Sequence, residues 1–356
     1  MIEIKIKDLY KKIIEHYYSQ KRFVLFKKPN ENKIFFYSTQ NNIYSTNKED
    51  FFLISSFNQE SIIKIYTKQI YFFKFDKKFK SFNKKNNIFF IKKSYQYNQL
   101  IKQAIKLIKV GFLNKIVVSK CVKIDCKNIF LRKTFQNFII AFPNTFVVLW
   151  YNLNHDFWIS ATPELLITYE FCTKKLITVA LAGTIIKSNI NKIIHWTNKE
   201  IEEHQIVIDY IKNILQNQYD GSISIEKTKT INIGSLFHLK TTIKFLFKKN
   251  QNIFDFLNHI YPTPSICGYP KNKALDFIIK YEGYNRYFYT GYFGPVSKNK
   301  IELYLNLRCA NINIKNNKII IYAGSGITAK SNAYLEYLET ENKIKNVFTN
   351  LRFNNK

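Results

Sequence analysis

Three charged side chains near the C-terminus, Glu336, Glu339 and Lys343, are spaced by three and four residues. On a helix that spacing puts them on one face. They follow Y-A-G-S-G at 322–326. Gly324 and Gly326 allow close approach to the backbone, and a bend there would offer N–H groups to an anion. A surface ion pair is the plain reading; a metal and an anionic substrate held between helix and strand is the sharper one. Glu202, Glu203 and His204 open a second helical stretch. Acids at a helix start are favoured by the dipole in any case. Two helices that each supply one carboxylate also suit magnesium, which prefers oxygen ligands and retains waters.

Arginine carries a third signal. Only Arg22, Arg132, Arg286, Arg308 and Arg352 occur among 55 basic residues. Arg308 lies in the dense strand-like run L-Y-L-N-L-R-C-A-N-I. A buried guanidinium wants a planar two-oxygen partner, either an internal glutamate or the carboxylate of a substrate. No competing constellation is present. Cys121 and Cys126 have no second pair, the six histidines form no H-x-x-x-H, and L-A-G-T at 181–184 is too short to mean phosphate binding. Residue types and spacing therefore lead to an enzyme for a small anion, with magnesium as a fitting metal, and name no reaction.

These residues need a scaffold, and the composition allows a large one. The chain has 356 residues, is 46% apolar and 17% aromatic, and so can bury a sizeable core. No run of eighteen uncharged apolar residues predicts a membrane span, and the N-terminus lacks the apolar region of a secretory signal. The expected location is cytoplasmic. The net charge of +30 would ordinarily point to nucleic acid. Here the lysines are spread through all segments without a stripe of stacking aromatics, so no nucleic-acid partner is expected.

The pattern predicts hairpins and helices without regular βαβ alternation, hence α+β with antiparallel sheets. Residues 1–94 read as strand-rich. M-I-E-I-K-I-K-D-L-Y alternates like a strand, 21–26 and 32–37 form a hairpin, and 70–90 has no clean period. A helix from Tyr95 stops near Gly111, and a strand follows through K-I-V-V-S-K-C-V-K-I. Thr197 and Glu200 make a capping box for a long helix, with Ile201, Val207, Tyr210, Ile211 and Ile214 on its apolar stripe. The end reads as a meander over 287–293, 301–312 and 318–323, then a helix over 332–348.

The order of short motifs resembles the chorismate-utilising enzymes, isochorismate synthases in particular. The matching pieces include L-N-K-I-V-V-S-K (113–120), S-A-T-P-E-L-L (160–166), A-L-A-G-T (180–184) and K-E-I-E-E-H (199–204). They continue through F-H-L-K-T (237–241), Y-P-T-P-S-I-C-G-Y-P (261–270), L-R-C-A (307–310), Y-A-G-S-G-I (322–327) and L-E-T-E-N-K (338–343). The resemblance implies one large α+β domain of two packed antiparallel sheets with helices outside, 1–94 being its N-terminal part and 95–350 its catalytic region. It implies a monomer acting on chorismate, with no membrane or nucleic-acid partner. Coupling to an enzyme that consumes isochorismate, in menaquinone or siderophore synthesis, would follow.

The same resemblance assigns residues. Lys115 would be the base for water and Glu164 the acid for the leaving hydroxyl. Glu203 and Glu339 would hold Mg2+. His238, Arg308, Gly324, Gly326, Lys343, Gly183, Thr184 and Ser265 would bind substrate. Such roles require burial to lower the Lys115 pKa and to raise that of Glu164. Lys115 and Leu181 favour the water-using branch over anthranilate and aminodeoxychorismate synthases; a salicylate synthase shares the lysine. Three departures touch the pattern: Lys120 stands where arginine is usual, Tyr261 where histidine is, and Ile185, Ile186 and Lys187 follow L-A-G-T where small or basic residues are more typical. A different class of reading is a degenerate basic scaffold that binds nucleic acid through its charge.

Overall fold

A computed structural model describes residues 1–39, 50–67, 69–75, 94–186 and 194–355. The featureless stretch 70–90 lies outside them from residue 76 onward. Among the described residues the strands form two sheets, one of eleven and one of nine. All pairing is antiparallel except where Ile2–Glu3 runs parallel to Tyr71–Lys74.

The larger sheet carries, side by side, Phe23–Lys27, Phe146–Asn152, Asp156–Thr162, Cys309–Asn313, Lys318–Ile327 and Lys115–Lys127. The second carries Leu236–Phe247, Lys175–Ile186, Leu165–Glu170, Lys300–Leu305, Tyr292–Val296 and Phe51–Ser55. Strands from the first 94 residues thus enter both sheets. The inner faces meet through aromatic rings. Phe146 of the larger sheet lies 4.4 Å from Tyr304 and 5.7 Å from Phe293 of the second, and stacks on Phe26 at 5.5 Å. Helices Tyr95–Lys109, Asn198–Gln218 and Ala333–Phe348 pack outside the strands.

The expected hairpin is present as Phe23–Lys27 on Lys33–Ser38. The capping box at Thr197 is also formed, and it starts the Asn198–Gln218 helix. Four local expectations are corrected. The N-terminal alternation ends at once: Ile2–Glu3 is a two-residue strand, and Ile6–Tyr18 is a helix. Leu9, Ile13 and Tyr17 recur every four residues there and face the core. The run 301–312 is two strands in two sheets, Lys300–Leu305 and Cys309–Asn313, separated by Arg308 at φ +51°. The Leu236–Phe247 strand was not among those expected; its alternation mixes Thr and Lys with Ile and Phe. Ile201 is exposed, whereas Glu203 and His204 are buried on the face that Val207 and Ile211 continue. Among the described residues no helix is long and apolar enough to cross a membrane.

Phe146→Ala is expected to remove the central ring between the sheets and to cost about 3–5 kcal/mol in urea unfolding. A cost below about 1 kcal/mol would contradict this packing.

Candidate active site

Between the sheets and the helices lies a cleft of about 660 Å³, part of it open to solvent. Every residue expected at the site except Lys115 lines it: Glu164, Gly183, Thr184, Glu203, His238, Ser265, Arg308, Gly324, Gly326, Glu339 and Lys343. Six separate chain segments and two helices bring these groups together.

One wall is built for anions. Arg308 turns the chain from one sheet into the other and is buried. Its Nη2 lies 3.0 Å from His238 Nε2, and its Nη1 has no hydrogen-bond partner among the described residues. A guanidinium only donates, so Nε2 accepts and the imidazole proton sits on Nδ1, 3.2 Å from the Gly183 carbonyl. Burial and the Arg308 charge push His238 well below its ordinary pKa, so it stays neutral. The sequence left open whether Arg308 pairs with an internal glutamate. It does not; one edge of its guanidinium remains for a ligand in the cleft.

The opposite wall is a network of buried charge. Glu203 accepts from Lys199 at 3.0 Å and lies 3.2 Å from Lys115 Nζ. Lys199 bridges onward to Glu336 at 2.8 Å. Lys343 pairs with Glu339 at 2.6 Å and donates to the Gly324 carbonyl at 2.7 Å. Burial would raise the Glu203 pKa, but Lys199 and Lys115 together hold it down to about 2. Burial lowers Lys115, and the attraction of Glu203 only partly restores it. Lys115 is fully buried behind Glu203 and Gly326. A Cβ at Gly326 would sit 2.0 Å from Glu203 Oε1 and 3.2 Å from Lys115 Cε. This glycine is the thin point between the amine and the cleft.

Glu164 completes the arrangement. Burial raises its pKa from 4.5 to about 7, against a 2.6 Å hydrogen bond from Ser265 and the pull of Lys115 and Lys343. Gly183, at φ +73°, breaks the strand register beside Thr184 and keeps the chain clear of Glu200.

The expected glycine bend is not there. Lys318–Ile327 is one strand, in which Gly324 pairs with Ser119 and Gly326 with Val117. The glycines give room to side chains, and it is a carbonyl, not an N–H, that meets Lys343. Among the departures, Lys120 pairs with Glu341 and lies 4.1 Å over the Tyr337 ring. Tyr261 is buried behind the cleft, its hydroxyl 2.9 Å and 3.0 Å from the carbonyls of Phe57 and Thr290. Three further contributors escaped the sequence reading. Tyr289 and Tyr322 line the cleft and stack at 5.4 Å. Lys199 sits in the first helical turn, where a cation opposes the dipole; that misfit was the available signal.

Magnesium can be tested against these donors. No group of three or more His, Cys, Asp and Glu placed for a metal occurs among the described residues. Glu203 and Glu339 nevertheless both line the cleft and offer oxygen only, and the buried Glu336 Oε2 has no hydrogen-bond partner among the described residues. Two carboxylates completed by waters and substrate oxygens fit a magnesium ion.

This fold and site place the chain in a known group: it belongs to the chorismate binding enzyme family, whose model matches residues 31–352. It is 26% identical over 257 residues to the isochorismate synthase MenF of Haemophilus influenzae, covering 68% of this chain and 57% of that protein. It is 24% identical over 259 residues to anthranilate synthase component 1 of Saccharolobus solfataricus, covering 70% and 60%. The matches thus span less than two thirds of these relatives' own length. The structure of the menaquinone-specific isochorismate synthase MenF from Escherichia coli superimposes with a TM-score of 0.74 at 18% identity, covering 93% of this chain and 89% of that one.

Gly326→Ala is expected to force Glu203 off Lys115 and to destabilise the chain by about 3 kcal/mol in denaturant unfolding, as breaking a buried pair does. An unchanged midpoint would contradict the contact. Glu164→Gln tests the raised carboxyl. The folded chain holds this proton more tightly than the unfolded one, so stability is lost as pH rises from about 4.5 to about 7. The variant should therefore raise the melting temperature more at pH 8 than at pH 5. Equal shifts at both would show that Glu164 titrates normally.

Proposed function

We propose that the chain is an isochorismate synthase that converts chorismate to isochorismate. The observation that carries this reading is the opposite effect of burial on two neighbours: it moves Lys115 down and Glu164 up, each toward its neutral form. Such a pair supplies a base and an acid at the same pH. The unpartnered Nη1 of Arg308 and the Lys343 ammonium supply cations for a substrate with two carboxylates.

The chemistry follows from these states. The Lys115 amine takes a proton from water as its oxygen bonds to ring C2. The ring double bonds shift, the C4–O bond breaks, and the Glu164 proton goes to the departing hydroxyl, which leaves as water. Arg308, kept in place by the neutral His238, fixes one carboxylate. Glu203 and Glu339 would hold a magnesium ion, which when bound would supply positive charge and orientation at the other carboxylate. Leu181 lines the cleft and, with Lys115, supports water over ammonia as the nucleophile.

Purified protein incubated with chorismate and magnesium should yield isochorismate, separated by chromatography. Salicylate with pyruvate would assign a lyase instead, and anthranilate formed only with ammonia would overturn the reading. Lys115→Ala should lower turnover by about 10²–10⁴-fold, the usual worth of a positioned base, while chorismate still binds. Undiminished turnover would remove Lys115 as the base.

A further inference from the structure

Arg286 is the other arginine that stands out in this lysine-rich chain, and the reaction leaves it unused. Its side chain is buried behind the cleft. Nε and Nη2 donate to the two carboxylate oxygens of Glu282 at 2.6 and 2.7 Å. The remaining hydrogen bonds go to backbone carbonyls, apart from a long 3.4 Å contact from Nη1 to the Thr290 hydroxyl. Nη2 reaches the Val117 carbonyl and Nη1 the Ile266 carbonyl, both at 2.8 Å. Glu282 Oε1 in turn accepts from the N–H and the hydroxyl of Ser119, each at 2.7 Å. One ion pair therefore ties two segments of the cleft wall together.

Those two segments carry the base and the acid's partner. Val117 is two residues from Lys115 on the same strand, so their side chains share a face. Ile266 follows Ser265, whose hydroxyl donates to Glu164. Backbone pairing joins the segments only part of the way. Gly268–Tyr269 pairs with Lys115 and Ile116, and the Val117 N–H donates to the Cys267 carbonyl at 2.7 Å. Beyond Cys267 the chain leaves this ladder, and the guanidinium provides the next link. A lysine has no rigid fork with which to span a carboxylate and two diverging carbonyls. That geometric demand accounts for an arginine here.

We propose that Arg286, held by Glu282, is a positioning residue that sets the separation of Lys115 from Glu164; this rests on the reading of those two as base and acid. It touches no substrate. It holds the Val117 and Ile266 backbone so that the amine and the Ser265–Glu164 pair stay in register across the cleft.

The test compares Arg286→Lys and Glu282→Gln with Phe138→Leu, a core change in the distant Leu131–Ala141 helix, at matched loss of melting temperature. Arg286→Lys should lower kcat by about 10²-fold with KM changed by less than about threefold, since it misplaces reacting groups without removing a substrate contact. Glu282→Gln should do the same more weakly and serves alone if Arg286→Lys does not fold. Ser265→Ala should cost far less in the Arg286→Lys background than in the wild type, because both act through Glu164. Equal kcat in Arg286→Lys and Phe138→Leu, or additive effects with Ser265→Ala, would overturn the proposal. A crystal structure of either variant gives a readout without turnover: the Ser265–Glu164 bond should be broken, and an intact bond would overturn the proposal. An inactive wild type would remove the isochorismate synthase reading while this structural arm still decides the role of Arg286.

Discussion

The ion contacts around Glu203 constrain the rest of the site. A carboxylate this deeply buried survives as an anion because the side-chain nitrogens of Lys199 and Lys115 lie within 3.2 Å, Lys199 contributing more. Each belongs to a different element, one a helix start and the other a strand of the larger sheet. The contact therefore fixes how the helix sits on the sheet. It also explains Gly326, since no other residue would leave space for both side chains. A desolvated charge is costly unless it is paired, so the elements can meet in few other ways.

The same low-dielectric surroundings separate the two carboxylates by function. Glu203, between cations, stays ionised; Glu164, with one hydroxyl donor, is pushed toward its neutral form. Nothing in the residue type distinguishes them. What differs is the pairing with lysine, set for Glu203 by its own helix and by how that helix sits on the larger sheet. Arg308 is the joint between them. Its left-handed backbone carries the chain from the second sheet to the larger one and leaves the guanidinium at the seam. The position that connects the sheets is thus also the one that presents cationic charge to the cleft.

Much of this was legible in the sequence. The motif order pointed to the fold and to a set of residues of which all but Lys115 line one cleft. Capping chemistry at Thr197 and the helical spacing of Glu336, Glu339 and Lys343 are local signals, and local signals survive without tertiary information. What was hidden depends on long-range contacts. The run 301–312 reads as one unbroken strand-like stretch, and only the partner strands reveal that its halves lie in different sheets. Ile201 is exposed although its place on the apolar stripe predicted burial, because the buried face carries Glu203, which answers to Lys115 on the sheet. The short N-terminal alternation had two competing periods, and the packing of Leu9, Ile13 and Tyr17 decided for the helix. The glycines at 324 and 326 were correctly seen as points of close approach. The approaching groups were side chains, which spacing cannot reveal.

Carbon-13 NMR of carboxyl-labelled glutamate, with Glu164→Gln and Glu203→Gln used for assignment, measures the central claim directly. Glu164 should titrate with a midpoint near 7, and Glu203 should remain ionised down to about pH 2. A Glu164 midpoint in the ordinary glutamate range, near 4.3, would contradict the account, because the cleft would then hold no proton to donate at neutral pH.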